Sequence, residues 1–247
     1  MYSYYIMSNN PFYISETHKE VLIYSPKCAC TVLQIHFIKH RWEQVCNMDV
    51  RKFAAQNGYR KRDYRSIPSE YKIFWGVRNP YDRMISSYIN KFIYYNGKLL
   101  NETNLEPFAD NLLKQINVTH SELTFNKFLD GINMLMQNGR RIDPHFNQQV
   151  NVNALSQIRD HPQLTVFDID DIPSVFPDFN SGRANATPYN ENGTYIDVAD
   201  YTPDQFTKDL YRKENFKSAI TKIKQIYKVD YDIYNSIAIL NEDDKRV

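Results

Sequence analysis

Leu22-Ile-Tyr-Ser-Pro-Lys-Cys-Ala-Cys-Thr-Val-Leu33 is the stretch that decides the fold. Val21 to Tyr24 has strand character, Ser25-Pro26 makes a corner, and a helical pattern opens at Thr31. A strand that delivers the chain to a helix start leaves several backbone N–H groups without helical partners. Such an end attracts anions, and Lys27 adds a full positive charge beside it. Cys28, Ala29 and Cys30 carry little bulk, so a phosphate can approach the backbone closely. The stretch reads as a phosphate cradle. It is neither the G-x-x-x-x-G-K-[ST] loop nor the G-x-G-x-x-G turn, both of which are absent. Taken alone, a Pro-Lys turn before a helix also fits an ordinary junction with an exposed lysine.

A second stretch changes the balance. Ile73-Phe-Trp-Gly-Val-Arg-Asn-Pro-Tyr-Asp-Arg-Met-Ile-Ser-Ser-Tyr88 again reads strand, turn, helix, with Arg78 at the strand's end. The strand Lys72–Val77 has an apolar centre, as a strand covered on both faces requires. Asn79 suits an N-cap and Pro80 the first helical position. Asp82 and Arg83 read as support for the helix start, with a surface role open for Arg83. Two cationic strand ends side by side in a parallel sheet lie where open α/β folds bind ligands.

Together the two stretches resemble the sulfotransferases that use 3′-phosphoadenosine 5′-phosphosulfate (PAPS). Pro26-Lys-Cys-Ala-Cys-Thr31 is similar to that family's 5′-phosphosulfate loop. Arg78-Asn-Pro-Tyr-Asp-Arg-Met-Ile-Ser86 matches its 3′-phosphate motif, in which an arginine and a serine eight positions on hold the phosphate. The nearest likeness is to the carbohydrate sulfotransferase branch (sulfotransferase family 2). The resemblance implies a three-layer α/β/α fold, P-loop-like, with a central mainly parallel sheet and one domain over residues 1–247. It implies PAPS as co-substrate, bound by Pro26, Lys27, Cys28, Ala29, Cys30, Thr31, Arg78 and Ser86, with Lys27 also catalytic. A loop near Phe179 to Asn192 closes over the nucleotide in related enzymes. Arg183, Asn185 and Thr187 fit that role, and a plain surface loop fits equally.

Asp143-Pro-His-Phe-Asn-Gln-Gln149 resembles the His-Trp/Phe-x-Pro-Gln element of the same branch, with Gln148 in place of the proline. A neutral histidine suits proton abstraction near pH 7, so His145 is the first candidate for general base. His36 and Asp143 follow. A histidine that only hydrogen-bonds a neighbouring loop is the other reading of His145. The expected acceptor is a glycan or another hydroxyl-bearing molecule. Lysine and arginine supply the positive charge, so no metal is expected. A kinase-like enzyme and a non-catalytic nucleotide- or glycan-binding protein of the same fold are the rival classes.

Whole-chain properties agree with one α/β domain. The 247 residues carry 30 Lys plus Arg against 29 Asp plus Glu, a formal +1, which argues against a broad nucleic-acid surface. Six of the cations, Arg51, Lys52, Arg60, Lys61, Arg62 and Arg65, fall in residues 51–70. They fit an anionic acceptor site or a solvated connector. Three cysteines do not suggest a disulfide framework. No signal peptide and no membrane-spanning run is evident, so a cytoplasmic protein without an anchor is expected. The Asn/Ile/Lys/Tyr-rich composition fits an AT-rich microbial or viral genome.

Helical spacing of Ile35, Ile38, Trp42 and Val45 predicts an amphipathic helix after the cradle, with His36 and His40 on a solvated face. Further helices are predicted over Pro107–Ile116 and Leu123–Gln137, a core strand over Leu164–Asp168, and C-terminal helices through Phe206, Leu210, Ile220, Ile223 and Tyr227. Lys228-Val-Asp-Tyr-Asp-Ile-Tyr234 resembles the family's closing helix.

Overall fold

Short apolar runs become strands, and longer amphipathic ones become helices. A computed structural model describes residues 11–45, 48–95, 98–149, 152–179, 195–207, 210 and 212–243. In chain order these residues form β1 (Phe12–Ser15), β2 (Glu20–Ile23), α1 (Cys30–Ile35), α2 (Val50–Gln56), β3 (Arg60–Lys61), β4 (Lys72–Val77) and α3 (Pro80–Tyr88). Then come β5 (Tyr94–Tyr95), β6 (Lys98–Leu99), α4 (Pro107–Ile116), α5 (Phe125–Gln137) and α6 (Val152–Ile158). The chain continues with β7 (Leu164–Asp168), α7 (Ile172–Val175), α8 (Ile220–Ile226) and α9 (Lys228–Asp243). π-helical stretches, His36–Arg41 and Ile89–Ile93, continue α1 and α3.

The chain falls into two compact units. The first comprises Met1–Asn79, Gln148–Ala184 and Asp232–Val247. Its five-stranded sheet has the order β3-β1-β2-β4-β7, with helices on both sides. The α/β reading and the P-loop-like layout hold. The core of the sheet is parallel, β2 beside β4 beside β7, with Ile23 opposite Trp75 and Val77 opposite Asp168. β1 and β3 extend one edge antiparallel. The outermost strand is only Arg60 and Lys61, both exposed, and such a short charged edge discourages further strand pairing.

One face of this sheet carries Tyr13, Leu22, Phe74 and Phe167, packed with Leu33, Phe37, Ile38 and Trp42. Gly76 lies under this layer: a Cβ there would sit 2.9 Å from Leu33 Cδ1 and 3.2 Å from Phe167 Cζ. The missing side chain lets α1 approach the central strand. Buried Glu20 accepts from Arg41 Nη2 at 2.6 Å and Trp42 Nε1 at 3.0 Å, which satisfies its charge and pins the end of the π-helical stretch.

The second unit comprises Pro80–Asn147 and Asn185–Tyr231. Its core is aromatic, with Tyr88, Phe92, Phe125, Phe128, Phe146, Phe206 and Phe216 all buried. Buried Met84, Ile85, Ile89 and Tyr227 join that cluster. Among the described residues no helix is long and apolar enough to cross a membrane.

Three expectations need correction. Val45 is not on the helix after the cradle: it is 84% exposed and lies past Trp42. The π-helical bonds, Trp42 N–H to Phe37 O at 2.7 Å for example, add a residue to the turn and break the 3.6-residue spacing. His36 is not on a solvated face, being 1% exposed. Arg83 is fully buried, so the surface reading of it fails.

Candidate active site

β2 brings the chain to Ser25, whose buried hydroxyl donates to the backbone carbonyl of Gln149 at 2.6 Å. Cys28 N–H closes a turn onto Ser25 O at 3.2 Å. Lys27 (φ 65°) and Ala29 (φ 48°) are both left-handed, and Cys28 between them is not. Left-handed backbone costs a non-glycine residue on the order of 1 kcal/mol or more, so two such residues in three mark a shape held by its surroundings. Alternation of this kind turns successive N–H groups to one side and makes an anion-binding concavity. α1 starts at Cys30 with no acidic residue in its first turn.

Arg78 follows the adjacent parallel strand. Its backbone is held on both sides by the side chain of Gln149: Arg78 N–H donates to Oε1 at 3.0 Å, and Nε2 donates to Arg78 O at 2.7 Å. Cys28 Sγ donates to the same Oε1 at 2.9 Å. The Arg78 guanidinium turns toward the cradle, with Nη1 donating to Lys27 O at 3.2 Å. Its Nε is buried without a hydrogen-bond partner among the described residues. From α2, Arg51 Nη2 donates to Thr31 Oγ1 at 3.1 Å and Nε to Gln34 Oε1 at 3.3 Å. Because Thr31 Oγ1 accepts that bond, its own O–H is left to donate. The first unit therefore gathers Pro26 to Thr31, Arg78 and Arg51 at one end of its parallel strands.

The second unit holds Ser86 and His145. Ser86 is buried on α3. The loop bearing His145 is tied down through its backbone: Arg83 Nη2 donates to Pro144 O at 3.3 Å, Ser87 Oγ to His145 O at 3.1 Å and Tyr227 Oη to Phe146 O at 2.5 Å. Asp143 Oδ1 accepts from His145 N–H at 2.9 Å and lies 2.5 Å from Nδ1. Burial pushes the Asp143 carboxyl up, but the His145 ring, its N–H and nearby Lys91 outweigh this and hold it below the usual carboxylate value. An ionised Asp143 selects the ring orientation in which Nδ1–H donates to it and Nε2 faces away. The ring stacks on Phe108, centroids 5.0 Å apart and planes at 13°, and Lys91 Nζ lies 4.6 Å from the Phe108 centroid.

A family model described as "Sulfotransferase family" matches residues 10–235. The chain belongs to the sulfotransferase family. Comparison with curated proteins and with solved structures finds no match.

Within this sulfotransferase, the structure brings the predicted cradle and Arg78 together on neighbouring strands. Ser86 and His145 fall in the other unit. Arg183, Asn185 and Thr187 lie outside the described residues, as does Cys46. Two residues escaped the sequence reading. Gln149 stood out only as the last letter of a partial motif, and nothing in its neighbours says that its amide would meet Arg78. Arg51 was one of six cations in a basic segment; its contact with Thr31 depends on how α2 packs. All six, Arg51 with Lys52, Arg60, Lys61, Arg62 and Arg65, are exposed.

His36, the second candidate for the base, packs its ring among Phe37, Phe176 and Phe179, at centroid distances of 5.8, 5.4 and 4.9 Å. Its Nε2 is buried with no hydrogen-bond partner among the described residues. Burial lowers its pKa; His40 and Arg41 add to this, while Asp178 and Glu20 oppose it. The folded state then takes up this proton less readily than the unfolded chain. Stability from this group is complete above about pH 6.5 and drains away as the pH falls through the depressed value, by at most about 1.4 kcal/mol per unit. Urea titrations at pH 7.5 and 5.5 should show His36→Phe losing less stability on acidification than the unsubstituted protein. Equal losses would mean that His36 does not stay neutral.

Proposed function

We propose that this sulfotransferase moves a sulfuryl group from PAPS to a hydroxyl group, on a carbohydrate acceptor. One observation carries the donor assignment: two anion-binding features, the left-handed cradle and the Arg78 strand end, follow adjacent parallel strands and share Gln149. That arrangement suits a ligand with anionic groups at both ends. The buried Nε of Arg78, without a hydrogen-bond partner among the described residues, fits a second anion as well. We read both units as parts of one sulfotransferase domain.

PAPS supplies the activated sulfuryl group. Lys27 and the N–H groups of residues 29–31 stabilise negative charge as it grows on the leaving oxygen, being preorganised for it. The Thr31 hydroxyl, held by Arg51, adds a donor. Arg78 takes the remote 3′-phosphate, contributing binding energy away from the reacting bond, and the motif assigns Ser86 to the same phosphate. His145 accepts the acceptor's proton at Nε2. The carbohydrate acceptor follows from the family branch that the loops resemble.

Adenosine 3′,5′-bisphosphate should stabilise the protein much more than AMP or ATP in a thermal-shift comparison without added metal. Ligand at ~100 times its dissociation constant adds roughly 2.7 kcal/mol. Equal shifts with AMP and the bisphosphate would sink the donor assignment. Transfer of labelled sulfate from PAPS to a panel of glycans and small alcohols would identify the acceptor.

A further inference from the structure

Gln149 is completely buried, yet its side chain is a neutral amide with nothing to contribute to chemistry. What it does is geometric. β4 ends at Val77, and the Gln149 amide then pairs with both backbone groups of Arg78 as a neighbouring strand would. The same Oε1 accepts Cys28 Sγ–H, and the Gln149 backbone carbonyl accepts the Ser25 hydroxyl. One residue therefore grips the cradle at two points and the Arg78 strand end at two more. These bonds lie out of water, where each holds its geometry more firmly and leaves a costly unpaired group if removed.

We propose that Gln149 is a positioning residue that fixes the separation of the two anion sites and so selects a ligand phosphorylated at both ends. This inference rests on the donor reading above. A ligand with a single phosphate needs only the cradle, whereas a two-ended ligand needs the spacing as well. Loosening the spacing should penalise the second ligand alone. A residue that merely supports the fold would penalise both.

The test is Gln149→Met, which keeps the volume and removes the side chain's hydrogen bonds. Affinities for adenosine 3′,5′-bisphosphate and for AMP are measured by calorimetry on the unsubstituted and variant chains. Bisphosphate affinity should fall about tenfold to a hundredfold, the size expected when buried partners are lost, with AMP affinity changed less than about threefold. In a transfer assay the donor KM should rise more than kcat falls. Equal losses for both ligands, or no loss, would overturn the proposal. If the unsubstituted chain shows no preference for the bisphosphate, the donor reading fails instead. Should Gln149→Met not fold, Cys28→Ala removes the cradle's side-chain tie to Oε1 and leaves both Arg78 backbone bonds to Gln149 in place. It should still reduce the preference for the bisphosphate, and an unchanged preference would refute the spacing role.

Discussion

Lys27→Ala is expected to lower turnover at saturating donor by about 10²–10³, the usual loss when a preorganised electrostatic stabiliser is removed. Its charge matters most when the leaving oxygen becomes anionic, so donor affinity should change far less than rate. Arg78→Ala should behave in the opposite way, weakening donor binding with a smaller effect on saturated turnover. The backbone complicates a simple substitution, because Lys27 is left-handed. Lys27→Gly is the control, since glycine tolerates φ of 65° without strain. If charge is the cause, Lys27→Gly loses as much turnover as Lys27→Ala, although its backbone is relaxed. Normal turnover in Lys27→Ala once saturated would mean that the cradle has been misread. A Gly variant with restored activity would shift the effect from charge to backbone shape.

The parts legible in the sequence are those fixed by local pattern. Ile73-Phe-Trp-Gly-Val77 is apolar on both faces and flanked by polar residues, so β4 occupies Lys72–Val77 as predicted. Pro107 to Ile116 has a proline at its first position and apolar residues at helical spacing, and α4 spans those residues. Lys27 and Arg78 were legible together because each follows a strand, and parallel pairing of those strands makes them neighbours. What failed depended on distant partners or on unusual helix geometry. Glu20 looked like a residue outside the strand until Arg41 and Trp42 satisfied it, which lets β2 begin one residue earlier than predicted. The π-helical stretch after Ile35 changes which residues face inward, so His36 is buried and Val45 is not. β3 forms by pairing two charged residues with Phe12 and Tyr13, a contact that no local pattern announces.

His145→Ala is expected to lower turnover by about 10²–10⁴ while leaving bisphosphate affinity unchanged. The expectation rests on how completely the surrounding residues fix one ring. Asp143 holds Nδ1, Phe108 fixes the ring plane, and Arg83, Ser87 and Tyr227 secure the backbone on either side. Nε2 is the ring nitrogen that Asp143 does not hold, and the side chain as a whole is 32% exposed. Asp143→Asn keeps an oxygen in place but removes the charge that selects the tautomer, so its loss should be smaller than that of His145→Ala. Two outcomes would reassign the residue. Near-normal transfer in His145→Ala would pass the role to a carboxylate, since buried His36 packs among phenylalanines. Loss of bisphosphate binding along with transfer would make His145 a structural residue, its ring serving Phe108 and the loop. Unchanged binding with transfer reduced by two orders of magnitude is the result expected of a positioned base.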